Sequence, residues 1–196
     1  MTKIRSKQQL IDAAAKVFAE KGYEAARIED IAAELGVLQG SVYYHIDSKA
    51  GLLRLVQRSR FREMMTQIED IANGTEPPRD KLKKAIRAQL RYIERYLPES
   101  SHWFTNPPDP RKTQEETEEF RSAMQRHREN WKAIIRAGIR SGDIRRNVDP
   151  SVAVLSILGM TNYVARWYRE GSRRSIEQIA NQQFDMIWAG MSTRED

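Results

Sequence analysis

The sequence contains no cysteine among its 196 residues, and this absence removes several classes of chemistry. Disulfide bridges, thiol catalysis and cysteine-type zinc sites are all excluded. Glycine occurs 10 times and proline 7 times, so few positions interrupt regular structure and long helices are expected. The most apolar stretch, residues 152–160, is much shorter than the ~20 residues that a membrane-spanning helix needs.

Charge of neither sign dominates, but basic residues are in excess. The 33 lysines and arginines exceed the 27 acidic residues by a net charge of +6, and the isoelectric point is about 9.6. This balance is compatible with a polyanionic partner such as nucleic acid. The first ten residues have no apolar segment of the signal-peptide type. We therefore expect a soluble, cytoplasmic protein of one large domain or two small ones.

Apolar residues recur at helical spacing throughout the chain, and no segment alternates as a convincing strand would. The sequence therefore predicts an all-α fold. In the first part of the chain we predict a helix ending at Gly22, a second ending at Gly36, a third over about 39–46, and a fourth from the N-cap Ser48 to about residue 73. In the second part we predict a fifth helix over 82–97, a sixth ending near Gly142, a seventh from Pro150 to about Arg169, and an eighth after Gly171. Residues 75–80 and 106–111 are predicted breakers.

One segment, LGVLQGSVYYHIDSKAGLL at residues 35–53, places two tyrosines and a histidine in succession after a glycine and a serine. Consecutive residues of a helix point about 100° apart, so a single core cannot bury all three rings. If Val42 and Ile46 are the buried positions, the neighbouring residues face outward. These are Gln39, Gly40, Ser41, Tyr43 and Tyr44.

A short amphipathic helix, a glycine turn and a second short helix form a helix-turn-helix, whose second helix enters the DNA major groove. Glutamine amides bond base edges, glycine lets the backbone approach closely, and hydroxyls suit phosphate or base contacts. His45 and Lys49 follow at positions suited to flanking phosphates. The alternative interpretation is that the tyrosine pair packs between helices.

Together with the upstream segment AAAKVFAEKGYEAARIEDIAAELGV, this stretch resembles the DNA-binding signature of the tetracycline-repressor (TetR) family of transcription regulators. The resemblance covers about residues 10–55. It implies a three-helix DNA-binding domain over 1–47, an effector-binding and dimerisation domain over 48–196, and a homodimer on a near-palindromic operator. Carried over by position, the DNA-contacting residues are Gln39, Gly40, Ser41, Tyr43, Tyr44, His45 and Lys49.

The sequence departs from the family pattern at three positions. Arg27 replaces the Thr or Ser that usually begins the second helix, so a side-chain cap is lost and a guanidinium suited to phosphate or guanine is gained. Leu38 replaces a frequent Ser ahead of the third helix, and Ala50 replaces an acidic residue after the lysine. We add Arg27 to the expected DNA-contacting set.

Enzyme chemistry is the rival class, and the sequence offers little for it. Glu99 and His102 have the Glu-x-x-His spacing of a di-iron ligand pair, but such a site needs a second pair and further carboxylates. There is no phosphate-binding glycine loop and no nucleophile motif. We expect neither catalysis nor a bound metal or cofactor, and a helical ligand carrier that does not bind DNA is the remaining alternative class.

The second half of the chain holds aromatic and flexible residues that would line a pocket for a small hydrophobic effector, or else pack in the core. They are Tyr92, Tyr96, Trp103, Phe104, Met124, His127, Trp131, Tyr163 and Trp167. The C-terminal stretch resembles a TetR branch that includes acyl-CoA-responsive regulators of fatty-acid and steroid breakdown. Four arginines nearby would suit an anionic head group, or form a solvated helix end. They are Arg166, Arg169, Arg173 and Arg174.

The sequence thus predicts a homodimeric repressor that leaves its operator when a small hydrophobic ligand, with an acyl-CoA thioester as the candidate, binds. A ligand-independent regulator or an activator of the same fold is the alternative. The dimer is predicted to form through apolar stripes of the last two helices. Their residues are Val154, Ile157, Leu158, Phe184, Ile187, Trp188 and Met191.

Overall fold

The computed structural model describes residues 4, 6–96, 114–169 and 171–193, without the side chains of residues 96 and 114–117. Within these ranges the regular elements are helices: α1 (Lys7–Lys21), α2 (Ile28–Leu35), α3 (Gln39–Tyr43), α4 (Lys49–Asn73), α5 (Pro78–Tyr96), α6 (Gln114–Ser141), α7 (Pro150–Trp167) and α8 (Ile176–Met191). An isolated antiparallel bridge pairs Ile144 with Ser192. The prediction of an all-α fold is confirmed.

The chain divides into two compact units, Met1–Arg62 and Glu63–Asp196. This division falls within α4, whereas the sequence placed the domain boundary between residues 47 and 48. The first turns of α4 belong to the first unit because Leu52 and Val56 are buried in its core. The extents of the DNA-binding and effector-binding domains remain predictions.

The first unit is held by apolar residues that its four helices turn toward one core. Leu10 and Ala14 of α1 and Ile31 of α2 are fully buried, as are Val42 of α3 and Leu52 of α4. Burying one aliphatic side chain contributes about 1.5–3 kcal/mol, so these short helices are stabilised mainly by packing. α3, at five residues, has Val42 as its one buried residue.

α3 is shorter than the sequence predicted, because it ends at Tyr43 rather than near Ile46. The chain tightens after that point, since the His45 N–H donates to the carbonyl of Val42 at 2.9 Å. Ile46 is nevertheless buried, as expected. Ser48 caps the next helix as predicted, because its Oγ accepts from the N–H of Gly51 at 3.0 Å.

Two further helix limits differ from the predicted ones. α5 begins at Pro78 rather than at residue 82, because proline is well suited to the first helical position, where no N–H is needed. α7 ends at Trp167, since Tyr168 adopts an extended backbone. Its start at Pro150 is confirmed, and the Asp149 Oδ1 accepts from the N–H groups of Ser151 and Val152 at 2.7 and 2.9 Å.

The second unit is built around α5, which packs against α6, α7 and α8. Leu82, Ile86 and Leu90 recur at helical spacing on α5 and are fully buried. They share the interior with Trp131 of α6 and Phe184 of α8, also fully buried. Aromatic residues of this size bury about 150–250 Å² each, so the two rings are a large part of this core.

His127 lies in this core one helical turn before Trp131. The side chain is only 2% exposed, and its Nε2 accepts from the Trp131 Nε1–H at 3.2 Å. Burial, and to a smaller extent the charge of Arg128, lowers the pKa of His127 from 6.5 to about 4. The folded protein therefore holds this imidazole neutral in mildly acidic solution.

This pKa predicts a loss of stability in acid. As the pH falls below about 6.5, the unfolded chain takes up a proton that the folded protein does not accept until about pH 4. The free energy of unfolding should decrease by roughly 3 kcal/mol across this window and level off below it, as far as this group is concerned. His127→Gln keeps an acceptor for Trp131 and should abolish that part of the dependence in urea unfolding at pH 4 to 7. Identical pH curves for the two proteins would contradict the prediction.

Candidate DNA-binding surface and effector cavity

The turn between α2 and α3 is built by local hydrogen bonds around one glycine. Gly36 has a φ of 65°, in the left-handed region where a side chain is disfavoured. The N–H groups of Gly36 and Val37 donate to the carbonyls of Ala33 and Ala32, both at 3.0 Å. This arrangement ends α2 and starts α3 within a few residues, which is the geometry of a helix-turn-helix.

α3 turns its buried and exposed residues as the sequence predicted. Val42 and Ile46 are buried, while Tyr43 is 49% and Tyr44 86% exposed. Gly40 and His45 are also exposed, and Gln39 and Ser41 are half-buried. The alternative that the tyrosine pair packs between helices is therefore wrong for this unit. The contacts of these residues with DNA remain predictions.

Arg27 stands exposed immediately before α2. Its side chain does not cap the helix, as expected, but its backbone N–H donates to Asp30 Oδ2 at 2.9 Å. Asp30 also pairs with Lys21 at 2.7 Å, and these two contacts lower the pKa of its carboxyl group, the lysine contact most. The helix start is thus capped by Asp30, and the DNA contact of the exposed Arg27 side chain remains a prediction.

Lys49 has a structural role that its sequence position did not reveal. Its Nζ donates to the carbonyl oxygens of Glu24 and Ala26 at 3.1 and 2.9 Å, and it lies 4.5 Å from the ring centroid of Tyr23. An ammonium has three N–H donors, so one remains for a phosphate. Replacing Lys49 would remove internal contacts as well as a charge.

The turn also carries a contact that sequence reasoning missed. Gln39 Nε2 donates to Glu29 Oε1 at 2.6 Å, which joins the first residue of α3 to the second residue of α2. No local pattern signals this pair, because the two residues are ten positions apart and meet only across the turn.

The predicted effector residues do not form one group. Tyr92, His127 and Trp131 are buried in the core, and Met124 is half-buried. Tyr163 and Trp167 are instead 66% and 50% exposed on α7. The side chain of Tyr96, together with Trp103, Phe104 and the Glu99-x-x-His102 spacing, lies outside the described residues. The ligand contacts of this set remain predictions.

A cavity of about 480 Å³ lies beside Trp167, where α7, α8 and the segment between them meet. Its wall is mainly apolar, with two arginines and two glutamines. The lining residues are Met160, Trp167, Ser172, Arg173, Arg174, Ile179, Gln182, Gln183 and Met186. The Oε1 of Gln183 is buried without a hydrogen-bond partner among the described residues. The cavity therefore combines apolar surface with positive charge.

The prediction that these apolar stripes form the dimer interface is wrong, because their residues belong to the core of the protomer. All seven are 9% exposed or less. The exposed apolar residues of the last two helices are Val152, Leu155, Tyr163, Trp167 and Met186, each at least 50% exposed. Helical periodicity found the buried face of each helix, whereas the exposed face became visible only once the core was assembled.

Family models match both parts of the chain. The model for bacterial regulatory proteins of the tetR family matches residues 10–56, and the model for the tetracyclin repressor-like C-terminal domain matches residues 75–191. The chain belongs to the TetR family of bacterial transcription regulators. The predicted N-terminal helix-turn-helix and C-terminal helical domain are thereby confirmed.

Individual proteins are similar to the chain over nearly its full length. The HTH-type transcriptional repressor KstR2 of Rhodococcus jostii is 27% identical over 94% of this chain and 90% of its own. The structure of a TetR/AcrR-family regulator from Thermobifida fusca has a TM-score of 0.73 and 27% identity, covering 96% of this chain and 98% of that one. FadR from Bacillus subtilis, in complex with stearoyl-CoA, shares the fold at a TM-score of 0.64 and 20% identity, over 94% and 99% of the two chains.

In the part of the chain that the structure describes, no helix has the length and apolarity to cross a membrane. The same residues contain no group of three or more histidine or acidic side chains that would hold a metal ion. The family is one of transcription regulators, and the lack of enzymatic activity in this chain remains a prediction.

Proposed function

We propose that the protein is a transcriptional repressor that binds operator DNA through α3 and leaves it when a CoA thioester of an apolar acid binds the second unit. The observation that carries the DNA contact is the orientation of α3, which buries Val42 and exposes Tyr43, Tyr44 and His45. Polar, aromatic and cationic groups around a short exposed helix suit contacts to base edges and phosphates. Similarity to the repressor KstR2 supports repression of transcription. We propose that the protein acts in the cytoplasm.

Tyr44 offers a clean test of this surface because its side chain is 86% exposed and contributes little to folding. Tyr44→Ala should leave the melting temperature unchanged and weaken DNA binding about tenfold, which corresponds to one hydrogen bond to a charged group. Gln125→Ala, at an exposed position of α6, is the control and should bind as the parent does. Binding would be measured by fluorescence anisotropy at several salt concentrations. Equal affinity of Tyr44→Ala and the parent would contradict the assignment.

We assign the exposed apolar face of α7 to contact with a second copy of the chain. Val152, Leu155, Tyr163 and Trp167 lie at helical spacing on one side, opposite the buried face of the same helix. Gly159 lies at the centre of this side, exposed to solvent. A contiguous apolar face of this kind is unusual on a monomer, and a two-fold axis through it pairs it with its own copy.

Gly159 permits a test that spares the protomer. A Cβ atom added there meets no other atom within 4 Å, so a large side chain at this position fits the isolated chain. Gly159→Arg should therefore preserve helicity while shifting the protein from dimer to monomer in light scattering at micromolar concentration. Gln125→Arg adds the same charge on α6 and should remain a dimer. A monomeric parent protein, or a dimeric Gly159→Arg variant, would contradict the assignment.

The cavity between α7 and α8 is the proposed effector site. Its apolar wall, which includes Met160, Ile179 and Met186, suits an acyl or ring system, and Arg173 and Arg174 suit a phosphate-bearing head. The fold holds stearoyl-CoA in FadR, although that protein is similar in fold alone. The composition of the cavity is therefore what supports this ligand class for the present chain.

Release from DNA requires the ligand to favour a conformation that binds the operator poorly. A hundredfold loss of affinity corresponds to about 2.7 kcal/mol of coupling, within the usual allosteric range. We propose α4 as the connecting element, because this single helix runs from residue 49 to residue 73 and so continues from the first compact unit into the second. Linkage then requires the operator to weaken the ligand by the same factor.

The arginines of the cavity give the effector test. Fatty acyl-CoA and steroid-acid CoA thioesters should dissociate a preformed operator complex, and Arg173→Ala combined with Arg174→Ala should raise the required concentration at least about tenfold. DNA affinity without ligand should not change. Arg146→Ala, an exposed arginine outside the cavity lining, is the control. If no thioester displaces the parent protein, the ligand class is wrong and the ligand-independent alternative is favoured.

A further inference from the structure

α2 carries three carboxylates, of which two pair with a lysine and the third, Glu29, accepts a hydrogen bond from Gln39. Asp30 pairs with Lys21 at 2.7 Å and Glu34 pairs with Lys16 at 2.8 Å. Glu29 has no cation at ion-pair distance among the described residues. Its carboxylate instead accepts from Gln39 Nε2, the amide of the residue expected to read a base, at 2.6 Å.

A carboxylate on a DNA-facing surface has a cost, because phosphates and the acceptor-rich edge of guanine repel it. Glu29 is exposed, in the first turn of α2, on the helix that precedes the recognition helix. Among the residues that the structure describes, no lysine neutralises it as Lys16 and Lys21 neutralise the other two α2 carboxylates. The hydrogen bond from Gln39 is therefore the contact through which the Glu29 carboxylate acts in this structure.

The chemistry of the pair determines which way the Gln39 amide points. An ionised carboxylate only accepts hydrogen bonds, so the nitrogen end of the amide must face Glu29. The carbonyl Oε1 of Gln39 and the second hydrogen on its nitrogen are then left for other partners. An isolated glutamine, in contrast, can turn over and present either end.

We infer that Glu29 is a positioning residue for specificity, holding Gln39 in the orientation that matches adenine. Adenine offers one donor, N6–H₂, and one acceptor, N7, to the major groove, which match the acceptor and donor left on Gln39. Guanine offers two acceptors at O6 and N7, which this orientation does not match. The inference rests on the proposed DNA contact of Gln39.

The test compares base preferences and affinities within one set of variants. Each full-length protein would select from a randomised duplex pool, and the selected pools would be sequenced. The parent protein should prefer adenine at one position of each half-site. Gln39→Ala should lose this preference by about 5- to 150-fold. Glu29→Gln should reduce it about fivefold, because a neutral amide accepts Gln39 in either orientation.

Affinity for generic DNA is a second readout. If Glu29 only stabilised the fold, its replacement would not strengthen this binding. Glu29→Gln removes a negative charge beside the groove and should strengthen non-specific binding about two- to threefold at low salt. Loss of base preference together with a gain in generic affinity is the expected signature. Glu34→Gln removes the same charge from the same helix without touching Gln39, and should leave the base preference unchanged.

The outcomes separate this inference from the proposed function. If Gln39→Ala keeps the parent's preference, the assigned base contact of Gln39 is itself wrong. If Gln39→Ala loses the preference but Glu29→Gln retains it, only the positioning role of Glu29 fails. In the Gln39→Ala background, Glu29→Gln should cause no further change in base preference; a further change in base preference would mean that Glu29 reads a base directly. A parent preference for guanine at this position would overturn the assigned orientation.

Discussion

The burial of Val42 is the constraint on which the candidate DNA surface depends. α3 has only five residues and Val42 is its one buried side chain, so the helix is held by this contact and by the flanking Ile46 rather than by its own propensity. Once Val42 enters the core, helical geometry turns Tyr43 and Tyr44 outward. The same packing that stabilises the first unit therefore turns its candidate DNA-contacting side chains outward.

The second unit uses opposite faces of one helix for two purposes. The buried side of α7, including Val154 and Ile157, completes the core around α5, while the other side exposes Leu155 and Tyr163. Because residues at helical spacing separate so cleanly, the core does not depend on the exposed face. The proposed contact with a second copy of the chain and the proposed ligand site then lie side by side on α7 and share Trp167.

Individual contacts, and not the net charge of +6 of the whole chain, determine which partners the charged side chains of the first unit have. The sequence alone suggests Lys49 as a phosphate ligand, but its ammonium donates two hydrogen bonds to backbone carbonyls. Glu29, which has the wrong sign for DNA, contacts Gln39 instead of a lysine. These two cases show why a tally of basic residues does not identify a recognition surface, since affinity comes from charge while specificity comes from oriented donors and acceptors.

The sequence by itself determined the helical class, most helix limits and the outward face of α3, because these follow from local spacing, caps and glycines. Gly36 and Ser48 are examples whose roles were readable in a short window. Only the tertiary structure decided which apolar face of α7 is exposed and that Arg173 and Arg174 line a cavity. It also showed that Asp30, and not the side chain of Arg27, caps the start of α2. The pairing of Glu29 with Gln39 belongs to the same group. The physical reason is that periodicity identifies a face as apolar but not what covers it, and that contacts across a turn or between helices depend on the packed arrangement of the whole unit.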